Sequence, residues 1–344
     1  MVDAGRVLVT GGSGYIAGHC IAQALQAGWR VRTTVRDPAR EAGLRARVGR
    51  YAPAADLLEV VSADLEADDG WSAAVRDCTY VLHVASPFPV VSPREDAELV
   101  RPARDGTLRV LAAARGAGVR RVVMTSSTAA VAYGRGGRDT PFTEADWSDE
   151  TNRADTSAYE RSKTIAERAA WEWVEREGRR LELTTVCPGA VLGPVDGPDR
   201  SASTGIVAGL VDGSLPGLAR FGWPVVDVRD VADLHLRAMV SPTAPGQRYL
   251  GAEGFLWMTD IAPVLRESVP ELAGRVPRRR LPNAVVRASA LFDPIVRGRL
   301  YELGKHRPVT SDKARQDLGW TPRPAGDAVV ATAKTLPRPG DAHG

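Results

Sequence analysis

The chain has 344 residues, of which 44% are hydrophobic and 25% charged, and its net charge is +3. This length and composition predict an ordinary globular protein with a well-buried core and room for a second lobe. No stretch reaches the roughly 18 apolar residues of a membrane span, and basic residues alternate with acidic ones, so we expect no membrane or nucleic acid partner. Three scattered cysteines predict neither a disulfide framework nor a metal site. Because a strand pattern begins almost at once, we expect a cytoplasmic protein without a signal peptide.

The first half of the chain alternates strand and helix patterns. Helical patterns cover 19–28 and 156–178 and lie around 38–50, 70–76 and 97–117. Apolar runs predict strands at RVLVT (6–10), WRVRTTV (29–35), LLEVVSADL (57–65), YVLHVAS (80–86), RRVVMTSS (120–127) and LELTTVCPGAVLG (181–193). The alternation predicts βαβ crossovers and an α/β fold, with a Rossmann-type doubly wound parallel sheet.

The pattern changes near residue 190. Loops rich in glycine and proline span 193–224, a strand and a helix follow at 225–240, and the remainder is irregular. We predict that residues 1–190 form the Rossmann domain, to which 225–240 returns. Residues 191–344 are predicted to form mainly a smaller, mixed carboxyl-terminal lobe that binds the substrate.

The loop TGGSGYIAG (10–18) lies between the first predicted strand and the first helix. Gly11 permits the tight turn, Gly14 lets a pyrophosphate approach the backbone, and the helix offers its positive amino terminus to the phosphates. Ala17 is the small residue that helix and strand need in order to pack. This order of strand, glycines and helix predicts a dinucleotide site.

The end of the second strand, TTVRDP (33–38), indicates which dinucleotide is bound. An NAD site places an acidic residue here, whereas an NADP site uses arginine for the 2′-phosphate. Val35 stands at the acidic position, Arg36 follows it, and Arg40 lies close by. We expect Asp37 to cap the next helix rather than reach a ribose. The cofactor is therefore predicted to be NADP(H).

Tyr159 and Lys163 are four residues apart in TSAYERSK and therefore share a helix face. Ser127 ends a predicted strand at the carboxyl edge of the sheet, where ligands of open α/β sheets bind. A cation about 4 Å away is worth about 4 kcal/mol at an effective dielectric of about 20, enough to bring a tyrosine pKa from near 10 towards neutrality. A more distant lysine lowers it less. The three residues predict a proton-transfer site with Tyr159 as general acid and base.

In order, the motifs TGGSGYIAG, TVRDP, SADL, HVASP, MTSS and YERSK resemble an extended short-chain dehydrogenase/reductase. The chain is most similar to the dihydroflavonol reductase-like branch, with its aldehyde, ketone and methylglyoxal reductases. The resemblance implies NADPH-dependent carbonyl reduction, with Ser127 holding the substrate oxygen, Tyr159 as acid and Lys163 binding the nicotinamide ribose. The predicted cofactor contacts are Gly11, Gly14, Tyr15, Ile16, Arg36, Arg40, Asp64, Leu65, Ala85, Lys163, Pro188 and Gly189.

Departures from the family pattern narrow the substrate. Flavonoid reductases have an asparagine five residues after the serine, where this chain has Ala132, and YERSK differs from the W-Y-C-Y-x-K of cinnamoyl-CoA reductases. Both departures favour a small or medium aldehyde or ketone, or the alcohol in reverse. The candidate pocket walls are Phe88, Val90, Ala132, Tyr133, Val191, Leu192, Phe221 and Trp223.

Several alternatives stay open. A sugar-nucleotide epimerase or dehydratase shares the fold and the Tyr/Lys pair, although Arg36 argues against its tightly held NAD. A 3β-hydroxysteroid dehydrogenase differs mainly in pocket shape. A regulator that senses NADP without turnover would generally lack Tyr159 and Lys163. Monomer and homodimer both remain possible, with Trp171 or Trp173 as a candidate cover for a dimer surface.

Overall fold

The structure, a computed structural model, describes residues 5–52, 55–87, 95–196 and 202–336. The strands are β1 (Arg6–Val9), β2 (Arg30–Val35), β3 (Leu58–Ser62), β4 (Cys78–His83), β5 (Arg121–Thr125), β6 (Glu182–Pro188), β7 (Ala190–Leu192), β8 (Gly222–Asp227), β9 (Arg248–Gly251) and β10 (Phe255–Trp257). The helices are α1 (Tyr15–Gln26), α2 (Glu41–Gly49), α3 (Trp71–Val75), α4 (Ala97–Gly116), α5 (Ala158–Glu177), α6 (Ala202–Val211), α7 (Val228–Val240), α8 (Met258–Ser268), α9 (Asn283–Ser289), α10 (Pro294–Arg299), α11 (Asp312–Leu318) and α12 (Ala325–Thr335). Among these described helices, none is long and apolar enough to cross a membrane.

Seven strands form the large sheet in the order β3-β2-β1-β4-β5-β6-β9. Every neighbouring pair in it is parallel. The predicted Rossmann-type doubly wound sheet is therefore confirmed. The edge strand β9, with the sequence RYLG, was absent from the sequence-based prediction.

Helices cover both faces of the large sheet, as a parallel sheet requires. Along β1, Val7 and Val9 face one core and Leu8 faces the other, because successive side chains of a strand point to opposite sides. The first core is closed by α1 and α7, and the second by α4 and α5. This double burial explains why the strands read as continuous apolar runs in the sequence.

The predicted strand 181–193 is two strands, because the chain changes sheets at Gly189. β6 pairs with β5 and β9, whereas β7 pairs with β8 in a small mixed sheet of order β10-β8-β7. A Cβ at position 189 would lie 2.4 Å from the carbonyl oxygen of Pro224. Only glycine allows this close approach, so the prediction of one continuous strand was wrong at this residue.

The predicted strand and helix at 225–240 are β8 and α7. The strand lies in the small sheet, while α7 packs on α1 and on the large sheet. A separate apolar core joins β7, β8 and the helices α6, α8 and α12. The division of the chain into two domains at about residue 190 stays a prediction.

Candidate active site

The glycine loop between β1 and α1 is pressed against the ends of neighbouring strands. Gly11 has a φ of +70°, and a Cβ there would lie 2.9 Å from the Cβ of Ala85. Its N–H donates to Thr34 Oγ1 at 2.9 Å. Gly14 occupies the N-cap of α1 and supplies no side chain, so the first N–H groups of the helix face the loop without a side-chain cap. This geometry fits a bound pyrophosphate.

Several arginines follow β2, and one of them, Arg47, contacts the glycine loop. Arg36 and Arg40 are exposed immediately after β2, where a 2′-phosphate would lie in the predicted binding mode. Arg47 donates to the carbonyl oxygens of Gly12 and Ser13 at 2.7 and 3.0 Å, so its guanidinium lies beside the loop. The side chain of Asp37 accepts from the N–H of Ala39 at 2.9 Å, which confirms that it caps the following helical turn.

The remaining predicted cofactor residues follow the carboxyl ends of other strands. Asp64 and Leu65 come after β3, and the carbonyl of Asp64 accepts from Trp71 Nε1 at 2.8 Å. The N–H of Ala85, after β4, donates to Thr10 Oγ1 at 2.9 Å. Pro188 ends β6, and Tyr15 and Ile16 begin α1. These residues thus lie along one edge of the large sheet, and their individual contacts with a cofactor stay predictions.

A capping box fixes the start of α5. Ser157 Oγ accepts from the N–H of Tyr159 at 3.2 Å, and Glu160 accepts from the N–H of Ser157 at 2.6 Å. One turn further, Lys163 is 8% exposed, and its ammonium donates to Ser86 Oγ at 2.9 Å. Ser86 follows β4 at the same sheet edge, so both sheet and helix hold the lysine.

Ser127 joins these residues from β5. Its hydroxyl accepts from the N–H of Ala129 at 3.1 Å, and a hydrogen bond links it to the phenol of Tyr159. The ammonium of Lys163 lies 5.8 Å from the centre of the tyrosine ring. The structure therefore brings together the three residues that the sequence had placed on different elements.

The electrostatics of Tyr159 differ from the sequence-based expectation. Burial raises the pKa of Tyr159 to about 12, the hydrogen bond with Ser127 opposes this rise, and the charge of Glu160 adds to it. Burial also lowers the pKa of Lys163 to about 8, and the negative charge of Glu167 opposes this effect. The expectation of a tyrosine pKa near neutrality was wrong, because desolvation is the largest effect on this pKa and the ammonium of Lys163 is directed to Ser86.

Comparisons with known proteins identify the family. The sequence matches the profile of the NAD dependent epimerase/dehydratase family over residues 7–250. The chain belongs to this family. It is an oxidoreductase of the extended short-chain dehydrogenase/reductase type.

Individual relatives confirm the resemblance to the dihydroflavonol reductase-like branch. A cinnamoyl-CoA reductase from Medicago truncatula is 36% identical over 276 residues, covering 77% of this chain and 81% of that protein. The dihydroflavonol 4-reductase of Zea mays is 32% identical over 281 residues, covering 78% and 76%. The crystal structure of yeast methylglyoxal/isovaleraldehyde reductase Gre2 complexed with NADPH has a TM-score of 0.80 at 26% identity, covering 96% of this chain and 98% of that one.

Most predicted pocket walls of this oxidoreductase are deeply buried. Val191 packs in the core of the large sheet, Leu192 and Phe221 in that of the small sheet, and Ala132 and Tyr133 in a fourth cluster. Trp223 keeps partial exposure and stacks with Phe221, with ring centres 6.3 Å apart. Phe88 and Val90 lie outside the described residues. Which of these side chains contact a substrate stays a prediction.

Sequence reasoning missed four residues around the site. Ser86, which holds Lys163, ends a predicted strand just as Ser127 does, so its position was a usable signal. Glu167 follows Lys163 by four residues on the same helix face and pairs with Arg248 of β9. Glu302 accepts from the hydroxyl of Tyr133 at 3.2 Å. No local pattern marked Arg248 or Glu302.

Proposed function

We propose that this chain is an NADPH-dependent carbonyl reductase that transfers a hydride to small or medium aldehydes and ketones, and oxidises the alcohols in reverse. The observation that carries the proposal is the meeting of Ser127, Tyr159 and Lys163 beside the glycine loop, at the carboxyl edge of the large sheet. Ligands of open α/β sheets bind at this edge.

The cofactor is NADP(H). The glycine loop, the amino end of α1 and the exposed Arg36 and Arg40 suit a dinucleotide with a 2′-phosphate. The yeast reductase of similar fold was solved with NADPH. When bound, the nicotinamide supplies the hydride. Lys163, held by Ser86 at 2.9 Å, is the residue that binds its ribose.

Ser127 and Tyr159 stabilise the carbonyl oxygen as it gains negative charge. Their hydroxyls are hydrogen-bonded to one another. A substrate oxygen that lies between them, in place of this hydrogen bond, can accept a hydrogen bond from each. With its pKa raised to about 12, Tyr159 is protonated at physiological pH and is the proton donor in reduction. The protonated ammonium of Lys163 then stabilises the tyrosinate that proton transfer leaves. In oxidation, the tyrosinate is the base.

The substrate class rests on the departures from the flavonoid and CoA patterns. Ala132 is 1% exposed and carries no polar group that could orient a flavonoid ring. A plant relative is named as a cinnamoyl-CoA reductase, so CoA thioesters belong in the substrate test even though YERSK departs from their motif.

The decisive experiment measures NADPH and NADH oxidation with aldehydes, α-dicarbonyls, β-ketoesters, aryl ketones, steroids, flavanonols and a cinnamoyl thioester. Tyr159→Phe is compared with the control Tyr249→Phe. Tyr249 is a buried tyrosine of β9, and its hydroxyl donates to Asp317. We expect NADPH-selective reduction of small carbonyls, abolished only by Tyr159→Phe. Tight NADPH binding without turnover would favour a sensor, and selective turnover of steroids or a CoA thioester would replace the proposed substrate class.

A further inference from the structure

A buried ion pair lies directly beneath the catalytic residues. Tyr159, Lys163 and Glu167 follow one another at intervals of four residues and occupy one face of α5. The side chain of Glu167 has no solvent exposure, and that of its partner Arg248, on β9, is 9% exposed. The guanidinium of Arg248 donates to the carboxylate through Nε at 2.8 Å and Nη2 at 3.2 Å.

The carboxylate of Glu167 also bonds a residue that follows β5 and a residue in the middle of β6. It accepts from Ser126 Oγ at 2.6 Å and from Thr185 Oγ1 at 2.8 Å. Ser126 directly precedes the catalytic Ser127 after β5. Thr185 lies in β6, three residues before Pro188. One buried carboxylate therefore ties α5, β5, β6 and β9 together next to the reacting groups.

Stability alone is a weak reason for such a pair, because desolvation of two buried charges offsets much of their attraction. Arg121 and Glu182 show the contrast. They join β5 and β6 at the opposite end of the sheet, with Nη2 and Oε2 2.6 Å apart, and Glu182 stays 29% exposed to water. Of these two pairs, only Glu167 and Arg248 are both largely removed from water.

We propose that Glu167, with Arg248 as its counterion, is a positioning residue that fixes Ser127 and Lys163 relative to Tyr159 for proton transfer. The inference rests on the proposed reductase function. Ser126 carries the effect to the adjacent Ser127, and the shared helix face carries it to Lys163.

The charge of Glu167 has a second consequence, for the protonation of Lys163. The lysine is faced by His83 of β4, Tyr159 and Glu167 of α5, and Cys187 of β6. Burial lowers the lysine pKa to about 8, and the negative charge of Glu167 opposes this effect. Removal of that charge alone leaves the cation of Arg248 uncompensated, so the ammonium of Lys163 should lose its proton more easily.

The test compares the pH dependence of reductive kcat in Glu167→Gln, Glu167→Gln/Arg248→Gln and Ser126→Ala, with Glu182→Gln as the matched control. The alkaline limb is the decline of reductive kcat at high pH, which follows the loss of the proton from Lys163. In Glu167→Gln we expect this limb to move down by about one pH unit. This shift is smaller than the pKa change that a unit charge ~6 Å away would cause at an effective dielectric of about 20. A lysine pKa near 7 would lower the protonated fraction at pH 8 from about one half to about one tenth, and kcat about fivefold.

The other variants separate charge from position. Glu167→Gln/Arg248→Gln removes the carboxylate and its counterion together and so leaves no net charge beside the lysine. In this double variant the alkaline limb should return towards its wild-type pH. Ser126→Ala should lower kcat without moving the limb, because it removes the hydrogen bond from Ser126 to Glu167 but leaves the charge of Glu167 in place. Glu182→Gln should leave the limb in place. A wild-type kcat and limb in folded Glu167→Gln would overturn the proposal, as would an equal displacement in Glu182→Gln.

Two further readouts keep the test decisive. The chain has four lysines, so 13C-lysine NMR titration of the protein alone reports the pKa of Lys163, which should fall in Glu167→Gln. If that variant does not fold, an unaltered kcat in both Ser126→Ala and the double variant refutes the positioning role. If Tyr159→Phe retains full activity, the proposed function itself fails, whatever the Glu167 variants show.

Discussion

Glu302 should make the protein less stable as the pH rises. Its side chain is 6% exposed, and one carboxylate oxygen accepts from the hydroxyl of Tyr133 at 3.2 Å and the indole of Trp223 at 3.3 Å. The other oxygen is buried and has no hydrogen-bond partner among the residues that the structure describes. Burial raises the carboxyl pKa from 4.5 to about 7, the charge of Glu160 adds to the rise, and Arg299 and Arg307 oppose it.

The magnitude follows from proton linkage. Below pH 4.5 the carboxyl is protonated in both folded and unfolded chains and carries no penalty. Above about pH 7 it is ionised in both, and the folded state bears the full cost of the buried charge. At about 1.36 kcal/mol per pH unit, the free energy of unfolding falls by about 3 kcal/mol across this window. Glu302→Gln keeps the acceptor for Tyr133 and Trp223 and should abolish the loss.

The assay is urea unfolding at several pH values between 4.5 and 8, followed by tryptophan fluorescence. The difference in unfolding free energy between Glu302→Gln and wild type should grow in favour of the variant by about 3 kcal/mol from the acid to the alkaline end. Glu271→Gln, in the same lobe and exposed, is the control for a substitution of the same type at the surface and should not reproduce this gain. A flat difference for Glu302→Gln would refute the reasoning.

Three further predictions concern the cofactor side of the site. Arg36→Ala should lower the NADPH:NADH ratio of kcat/KM by about tenfold, the worth of roughly one charge-assisted hydrogen bond; an unchanged ratio would show that this arginine does not read the 2′-phosphate. Gly11→Ala should cost about 1–3 kcal/mol in urea unfolding, since it combines a φ of +70° with a 2.9 Å contact to Ala85. Gly28→Ala, strained but uncrowded at φ +83°, should cost less. Because the pKa of Lys163 is about 8, reductive kcat should decline as pH rises through that value, and a constant kcat up to about pH 10 would contradict its role.

The sequence predicted those parts of the fold that local pattern determines. β1 reads as an apolar run because Val7, Leu8 and Val9 are buried on both faces. The start of α5 is marked by the capping box at Ser157. β9 carries no comparable pattern, because its place depends on pairing with β6, where Arg248 lies opposite Thr185.

Spacing predicted which site residues share a face, but not how deeply they are buried. Tyr159 and Lys163 lie together as expected, whereas the tyrosine pKa is governed by desolvation, which spacing cannot report. Glu302 lies 169 positions after the Tyr133 that it contacts. Gly189 looked like one residue of a strand because the backbone that crowds it, at Pro224, arrives from a distant segment.

The position of β9 sets the order in which the molecule can assemble. β6 ends at Pro188, and its edge partner begins only at Arg248, after the chain has passed through β7, α6, β8 and α7. During synthesis, the edge of β6 therefore stays unpaired until about 60 further residues have been made and β9 can bind it, and such distant pairing slows folding. A fragment that ends at residue 190 would expose both the open edge of β6 and the apolar surface under α7, and would leave Glu167 buried without its counterion. Such a fragment should aggregate rather than fold as an independent cofactor-binding unit.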